Sequence, residues 1–222
     1  SVRAWAERLA RHTTEGGFDG QLPYWESVMG GADASLPLDD PAGDATTATA
    51  AAVSGELTRA QTDQLLQQVP AVYRTQINDA LLTALARTLR NWTGRDRVPV
   101  SLEGHGREEL FTDLDLTRTA GWFTSIHPVA LALPADGGWA YAVKCVKEQL
   151  RAVPQRGIGY GALRHLADAS VGRLEPLVSF NYHGRFDAEA APGAGPLRRA
   201  LPALGQDHHP GEERAHLIDV TG

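Results

Sequence analysis

Between Val2 and His12 the apolar positions Trp5, Ala6, Leu9 and Ala10 fall on one helical face. Pro23 to Met29 reads as a second short helix carrying Trp25. Gly30 to Thr49 then loses all periodicity, because Pro37, Asp39, Asp40, Pro41, Gly43 and Asp44 break any helix or strand. Structured patterns resume directly afterwards, so this stretch reads as a surface excursion rather than a domain boundary. Thr58 followed by Gln61 forms a capping-box signature for a helix through Val69, with Leu65 and Leu66 on its buried face. Thr75 to Trp92 gives the clearest helix. Its stripe is Ile77, Leu81, Leu82, Leu85, Leu89 and Trp92, and Gly94 ends it.

Strand patterns follow. Val98, Val100 and Leu102 alternate with Pro99, Ser101 and Glu103, which predicts a half-buried strand with Glu103 on the face opposite the valines. Trp122 to Leu133, rich in aromatic and β-branched residues, predicts a longer second strand. Trp139, Val143, Val146 and Leu150 mark a helix stopped before Pro154. The run Gly157 to Gly161 reads as a turn into a short helix, Ala162 to Ala169. Pro176 to Tyr182 returns to strand, Ala188 to Arg214 is an Ala/Gly/Pro-rich loop, and His216 to Val220 is one more short strand. Alternating strands and helices over this length predict an α/β fold with a mixed sheet covered by helices. A strand pattern at the very end of the chain also leads us to expect further sheet after Gly222.

Bulk properties narrow the class without naming a function. A chain of 222 residues can bury one substantial core, and 42% hydrophobic with 22% charged residues is ordinary globular composition. The formal charge of -6 is spread along the chain, with no basic stripe or basic helix, which argues against nucleic acid or an anionic membrane as partner. Cys145 is the one cysteine and cannot form an internal disulfide, so the chain reads as cytoplasmic. No membrane-length apolar run and no signal-peptide pattern occurs.

Candidate chemistry gathers in two places. Glu103-Gly104-His105-Gly106-Arg107-Glu108 concentrates titratable groups at a strand end, beside glycines that let a ligand approach the backbone. A carboxylate there is placed for general-base work, or else it is a solvated turn. Phe180-Asn181-Tyr182-His183-Gly184 puts an amide, a phenol and an imidazole where another strand ends. They can serve a developing oxyanion or simply satisfy neighbouring backbone. His208-His209 lies in the Gly/Pro-rich loop and reads as solvated, and no spaced ligand set supports a metal site with His216. Cys145 has no base at a predictable spacing and reads as a small, partly buried hydrophobe.

Taken in order, EGHGRE (Glu103–Glu108), RTAGWFTSIHPV (Arg118–Val129), PQRGIGYG (Pro154–Gly161) and FNYHG (Phe180–Gly184) resemble the successive motifs of epimerization domains of nonribosomal peptide synthetases, within the condensation-domain superfamily. NDALLTALA (Asn78–Ala86) resembles the weaker motif preceding them. The chain departs from the family's usual pattern at His127 (Tyr), Ala120 (Val) and His183-Gly184-Arg185 (Leu-Gly-Gln). The resemblance implies one lobe of a chloramphenicol-acetyltransferase-like two-lobed domain. Residues 1–222 would be a single C-terminal subdomain truncated at both ends, with the family's His-His motif upstream of Ser1.

The implied activity is that of an isomerase inverting L to D at Cα of an aminoacyl or peptidyl thioester. The substrate would ride on the 4'-phosphopantetheine of a carrier protein, with no cofactor of the domain's own. Glu103, Asn181 and Tyr182 would be catalytic and His105 and Arg107 supporting, Arg107 holding Glu103 in position. Implied partners are an upstream peptidyl carrier domain, the missing N-terminal lobe and a downstream synthetase module. A condensation-type acyltransferase half-domain and a non-catalytic carrier-docking module are the alternatives.

Overall fold

Local chemistry sets where the helices begin and end in the computed structural model, which describes residues 1–134, 137–167, 171, 174–184 and 208–222. The Ser1 hydroxyl accepts the Ala4 N–H and opens α1 (Val2–Thr14). Pro23 sits in the first turn of α2 (Leu22–Met29), where its missing N–H costs nothing. The expected capping box is present: Thr58 accepts from Gln61 N–H and the Gln61 side chain reaches back to Thr58 N. The helix it opens is not uniform. α3 (Arg59–Asp63) passes through a π-helical turn, Gln64–Gln68, into α4 (Val69–Tyr73). Pro70 has no N–H to return to the preceding turn, and the wider turn falls just before it. Leu65 and Leu66 are half-buried there rather than fully covered.

α5 (Ile77–Thr93) ends on Gly94 in the left-handed conformation, as the sequence requires. Its buried face runs through Asp79, Ala80, Leu82, Thr83, Ala86 and Leu89, so the predicted stripe is rotated, and Trp92 is exposed. β1 (Arg97–Gly104) and β2 (Ser125–Ala132) pair antiparallel, with Val98 opposite Leu131 and Glu103 opposite Ile126. β1 is buried on both faces from Val98 to Leu102, which corrects the half-buried expectation. The strand is also internal to the sheet, between β2 and β3. β2 is shorter than predicted, and Trp122 stands outside it, 88% exposed.

α6 (Trp139–Ala152) and α7 (Ile158–Leu166) precede β3 (Val178–Asn181), and β4 (Ile218–Thr221) closes the described chain. α7 begins at Ile158, four residues earlier than its glycines suggested. The sheet order is β2-β1-β3-β4, with β1–β3 and β3–β4 parallel, so the sheet is mixed as predicted. Its core joins Val100, Leu131 and Val178 from the sheet to Trp25, Leu82, Val146 and Leu163 from the helices. At the β2 edge the Gln149 amide takes the place of a neighbouring strand, accepting from Ala132 N and donating to Ala132 O at 2.7 and 2.8 Å. Of the predicted long loop, residues 188–207 lie outside the described residues. Glu213 bridges Thr46, which anchors the excursion after α2. Among the described residues no helix is long and apolar enough to cross a membrane.

Candidate functional site

The parallel register of β1 and β3 sets Leu102 beside Phe180, so the next residues, Glu103 and Asn181, are neighbours at the strand ends. Asn181 Nδ2 donates to Glu103 Oε2 at 2.6 Å. Two residues 78 positions apart thus meet on one face of the sheet, and Glu103 is exposed there. Tyr182 stands one position further along the chain. It is half-buried and packs against the main core, so its ring belongs with Phe180 more than with the carboxylate. Gly222 clasps this end of the sheet: its N–H donates to Asn181 O, and its carbonyl accepts from His183 N.

The loop after β1 is held by its own charged groups. Gly106 adopts φ +65, and a Cβ there would lie 1.5 Å from the Phe123 carbonyl oxygen, so only glycine fits. Arg107 donates to the carbonyls of Leu116 (2.7 Å), Thr119 (2.8 Å) and Gly121 (3.3 Å), and its guanidinium lies 4.2 Å over the Phe123 ring. Among the described residues it makes no ion pair with Glu103, contrary to the expectation that it holds that carboxylate. Three backbone carbonyls outcompete one exposed carboxylate for a planar, multi-donor cation. The loop buries Phe111, Leu116 and Phe123 with Trp5 and Ile158 in a second apolar cluster.

His105 is exposed. Its Nδ1 accepts from Arg107 N at 3.0 Å and its Nε2 lies 3.5 Å from Glu108 Oε1. Glu108 Oε2 in turn faces Arg156 Nε at 3.7 Å. Sequence reasoning missed this Glu108–Arg156 link. Both residues stand in the motifs named above, but nothing in their spacing says that the two loops meet. Gln155 and Arg156 both have positive φ (43 and 51), strain of about 1–3 kcal/mol each, which the loop contacts must hold in place.

Behind the site lies His127, whose cross-strand partner is Leu102. It is 6% exposed, and burial lowers its pKa to about 4, so the ring is neutral at pH 7. Gly157, at φ +84, packs so closely that a Cβ would fall 2.0 Å from His127 Nδ1. Neither His127 Nδ1 nor the Tyr160 hydroxyl finds a hydrogen-bond partner among the described residues. Three further histidines are engaged separately: His208 with Glu212 at 3.1 Å, His209 with Gly211 N at 3.1 Å and His216 with Asp219 at 3.4 Å. No group of three or more His, Cys, Asp or Glu among the described residues is placed to hold a metal ion.

The arrangement is an exposed carboxylate at a strand end with one oxygen fixed by an amide donor. Such a group can take or return a proton at its other oxygen.

Comparison with known proteins gives the chain's family and fold. The sequence matches the condensation domain over residues 1–196. It is 39% identical over 228 residues to surfactin synthase subunit 1 of Bacillus subtilis (strain 168), covering 100% of this chain and 6% of that protein. It is 35% identical over 230 residues to tyrocidine synthase 2 of Brevibacillus parabrevis, again covering 100% and 6%. The chain therefore spans a few hundredths of the length of these relatives. Among solved structures it superimposes on the epimerization domain from the third module of tyrocidine synthetase B. The TM-score is 0.86 at 34% identity, covering all of this chain and 50% of that one. A condensation domain from the Monacolin K polyketide synthase shares the fold alone, at TM-score 0.62 and 16% identity.

Proposed function

The chain belongs to the condensation-domain family, and from that membership we propose that it is the C-terminal half of a nonribosomal peptide synthetase epimerization domain. Its reaction is inversion at Cα of an aminoacyl or peptidyl group carried as a thioester on the phosphopantetheine of a carrier protein. The observation that carries this reading is the Glu103–Asn181 pair, 2.6 Å apart at the ends of adjacent parallel strands. Likeness over the whole chain to a solved epimerization domain supports it.

A thioester carbonyl acidifies the adjacent C–H, so inversion needs a base on one face of Cα and a proton donor on the other. Glu103 is the group on the first face, its carboxylate exposed and oriented by Asn181. The Asn181 amide carries a second N–H, which this reading assigns to the developing enolate oxygen or to the arm. The proton donor on the second face comes from a histidine in the other half of the domain, across the cleft. This chain spans half the length of the solved epimerization domain it matches. Tyr182, His105 and Arg107 act at one remove, shaping the strand end and the loop beside Glu103. The carrier, the other half and the adjoining synthetase module are the partners of this reading, and the substrate's arm arrives with the carrier.

A condensation-type acyltransferase is the second reading, because the family match is to condensation domains. Recovered chirality separates the two. The intact synthetase module, loaded with an L-aminoacyl group on its carrier, is quenched and the amino acid released and resolved. A mixture of D and L isomers is the expected result. Pure L product with amide-bond formation to an added acceptor would favour the acyltransferase, and pure L with carrier binding alone would favour a docking module.

A further inference from the structure

A cavity of about 390 Å³ opens on the strand pair that carries Glu103, although Glu103 and Asn181 do not themselves line it. Ile126, the cross-strand partner of Glu103, lines it. So do Ser101, two residues before Glu103 on the same strand, and Pro128, the partner of Ser101. These positions share the face that carries Glu103. His127 from the opposite face, Tyr160 and Gly161 of α7, and Leu174 supply further wall. The volume lies near the lower end of the roughly 300–1,000 Å³ of small-molecule sites, room for one large side chain and not for a peptide.

Gly161 is the second observation. It lies inside α7, where glycine is among the poorest helix formers. The two glycines before it are explained by contact: a Cβ at Gly157 would strike His127, and one at Gly159 would lie 2.2 Å from Gln21 Oε1. At Gly161 a Cβ would meet nothing within 4 Å, and the backbone is not left-handed. Packing and conformation therefore give no reason for a glycine there. What its missing side chain does is leave the cavity open.

Charged groups around the cavity form two pairs, and His165 also lines it. Arg164 meets Glu175 at 3.0 Å and His216 meets Asp219 at 3.4 Å, so no unmatched carboxylate or guanidinium of these pairs awaits a charged ligand. Ile126, Pro128 and Leu174 supply an apolar part of its wall.

We propose that this cavity receives the side chain of the residue being inverted and selects large uncharged side chains, aromatic or branched aliphatic. The proposal rests on the epimerase reading, since it is the Cα held at Glu103 whose side chain reaches the cavity. Gly161 and Leu174 are then specificity-determining positions.

The test uses the intact synthetase module with its carrier loaded in turn with L-phenylalanyl, L-leucyl, L-alanyl, L-aspartyl and L-lysyl thioesters. Deuterium entering Cα from the solvent is followed by mass spectrometry. The wild type should exchange phenylalanyl and leucyl groups at least about tenfold faster, in kcat/KM, than the other three. Gly161→Phe fills the cavity and should lower the phenylalanyl-to-alanyl ratio about tenfold or more. Leu174→Ala enlarges it and should raise the relative rate of a tryptophanyl thioester, which keeps the proposal testable if the first variant folds poorly. Equal wild-type rates on all five thioesters, or variants that slow every substrate alike, would overturn the pocket while leaving the epimerase reading intact. No exchange of any thioester by the wild type would remove the epimerase reading and the pocket with it.

Discussion

Arg107→Lys separates a scaffolding role from a catalytic one. In the structure the guanidinium spans three carbonyls, of Leu116, Thr119 and Gly121, and covers the Phe123 ring. A hydrogen bond involving a charged group contributes about 1.5–3 kcal/mol, and partial exposure of Arg107 puts these at the lower end. The ring contact adds about 0.5–1 kcal/mol at such a site. A lysine ammonium can keep one carbonyl but cannot span three, so the variant should lose about 2–4 kcal/mol. In an intact domain about twice the length of this chain that lowers Tm by roughly 2–8 °C. The assay is thermal denaturation of the intact domain, paired with the pH profile of Cα exchange. A lower Tm with an unchanged pH profile is expected, together with faster proteolytic cutting between Gly106 and Trp122. A wild-type Tm with a displaced pH profile would show that Arg107 acts on the Glu103 carboxylate, and the scaffold argument would fail.

Gly106→Ala should be costlier still. It forces a Cβ into a left-handed conformation, about 1–2 kcal/mol, and onto the Phe123 carbonyl, so a loss above about 3 kcal/mol is expected in urea denaturation. A loss under about 1 kcal/mol would mean that the loop runs elsewhere. His127 makes stability depend on pH. Its pKa is about 4 when folded against 6.5 when unfolded, so between those values the unfolded chain binds the extra proton. Its contribution is therefore full above about pH 6.5, declines as pH falls toward 4, and flattens below. The total is on the order of 3 kcal/mol. His127→Leu should flatten that part of the stability curve, and an unchanged slope would refute the assignment.

Much of the fold is legible in the sequence, for physical reasons that differ from residue to residue. The capping pair Thr58 and Gln61 and the terminating Gly94 act through bonds and dihedrals a few residues away, so their sequence signature suffices. The mixed sheet covered by helices follows from periodicity, and the likeness to a solved epimerization domain bears out that fold class. The burial of β1 on both faces is hidden because its outward positions are Pro99 and Ser101, which read as surface until another layer is known to lie over them. The α5 stripe is rotated because Asp79 and Thr83 are buried with their polar atoms bonded, Asp79 accepting from Gln76 N and Thr83 donating to Asp79 O. Hydrophobic patterning cannot anticipate satisfied polar groups in a core.

At the candidate site, motif order singles out Glu103 and Asn181 as members of one set, and the parallel register puts them together in space. Partner choice is not legible. The family resemblance alone gives the expectation that Glu103 is held by Arg107. The folded loop instead offers it three carbonyls that have no counterpart in a side-chain pattern. Glu108 and Arg156 meet across two loops distant in sequence, a contact fixed only by tertiary packing.

The central claim is that Glu103 moves the Cα proton while Asn181 holds its carboxylate. The most direct measurement is deuterium wash-in at Cα of a carrier-bound aminoacyl thioester by the intact domain, comparing the wild type with Glu103→Gln. The amide keeps the shape and can still meet Asn181 but cannot take a proton. General acid–base groups typically contribute about 10²–10⁴-fold, so exchange should fall by that order while folding and carrier binding stay near wild type. Exchange within a few-fold of wild type would contradict the account, as would a loss of carrier binding in step with activity.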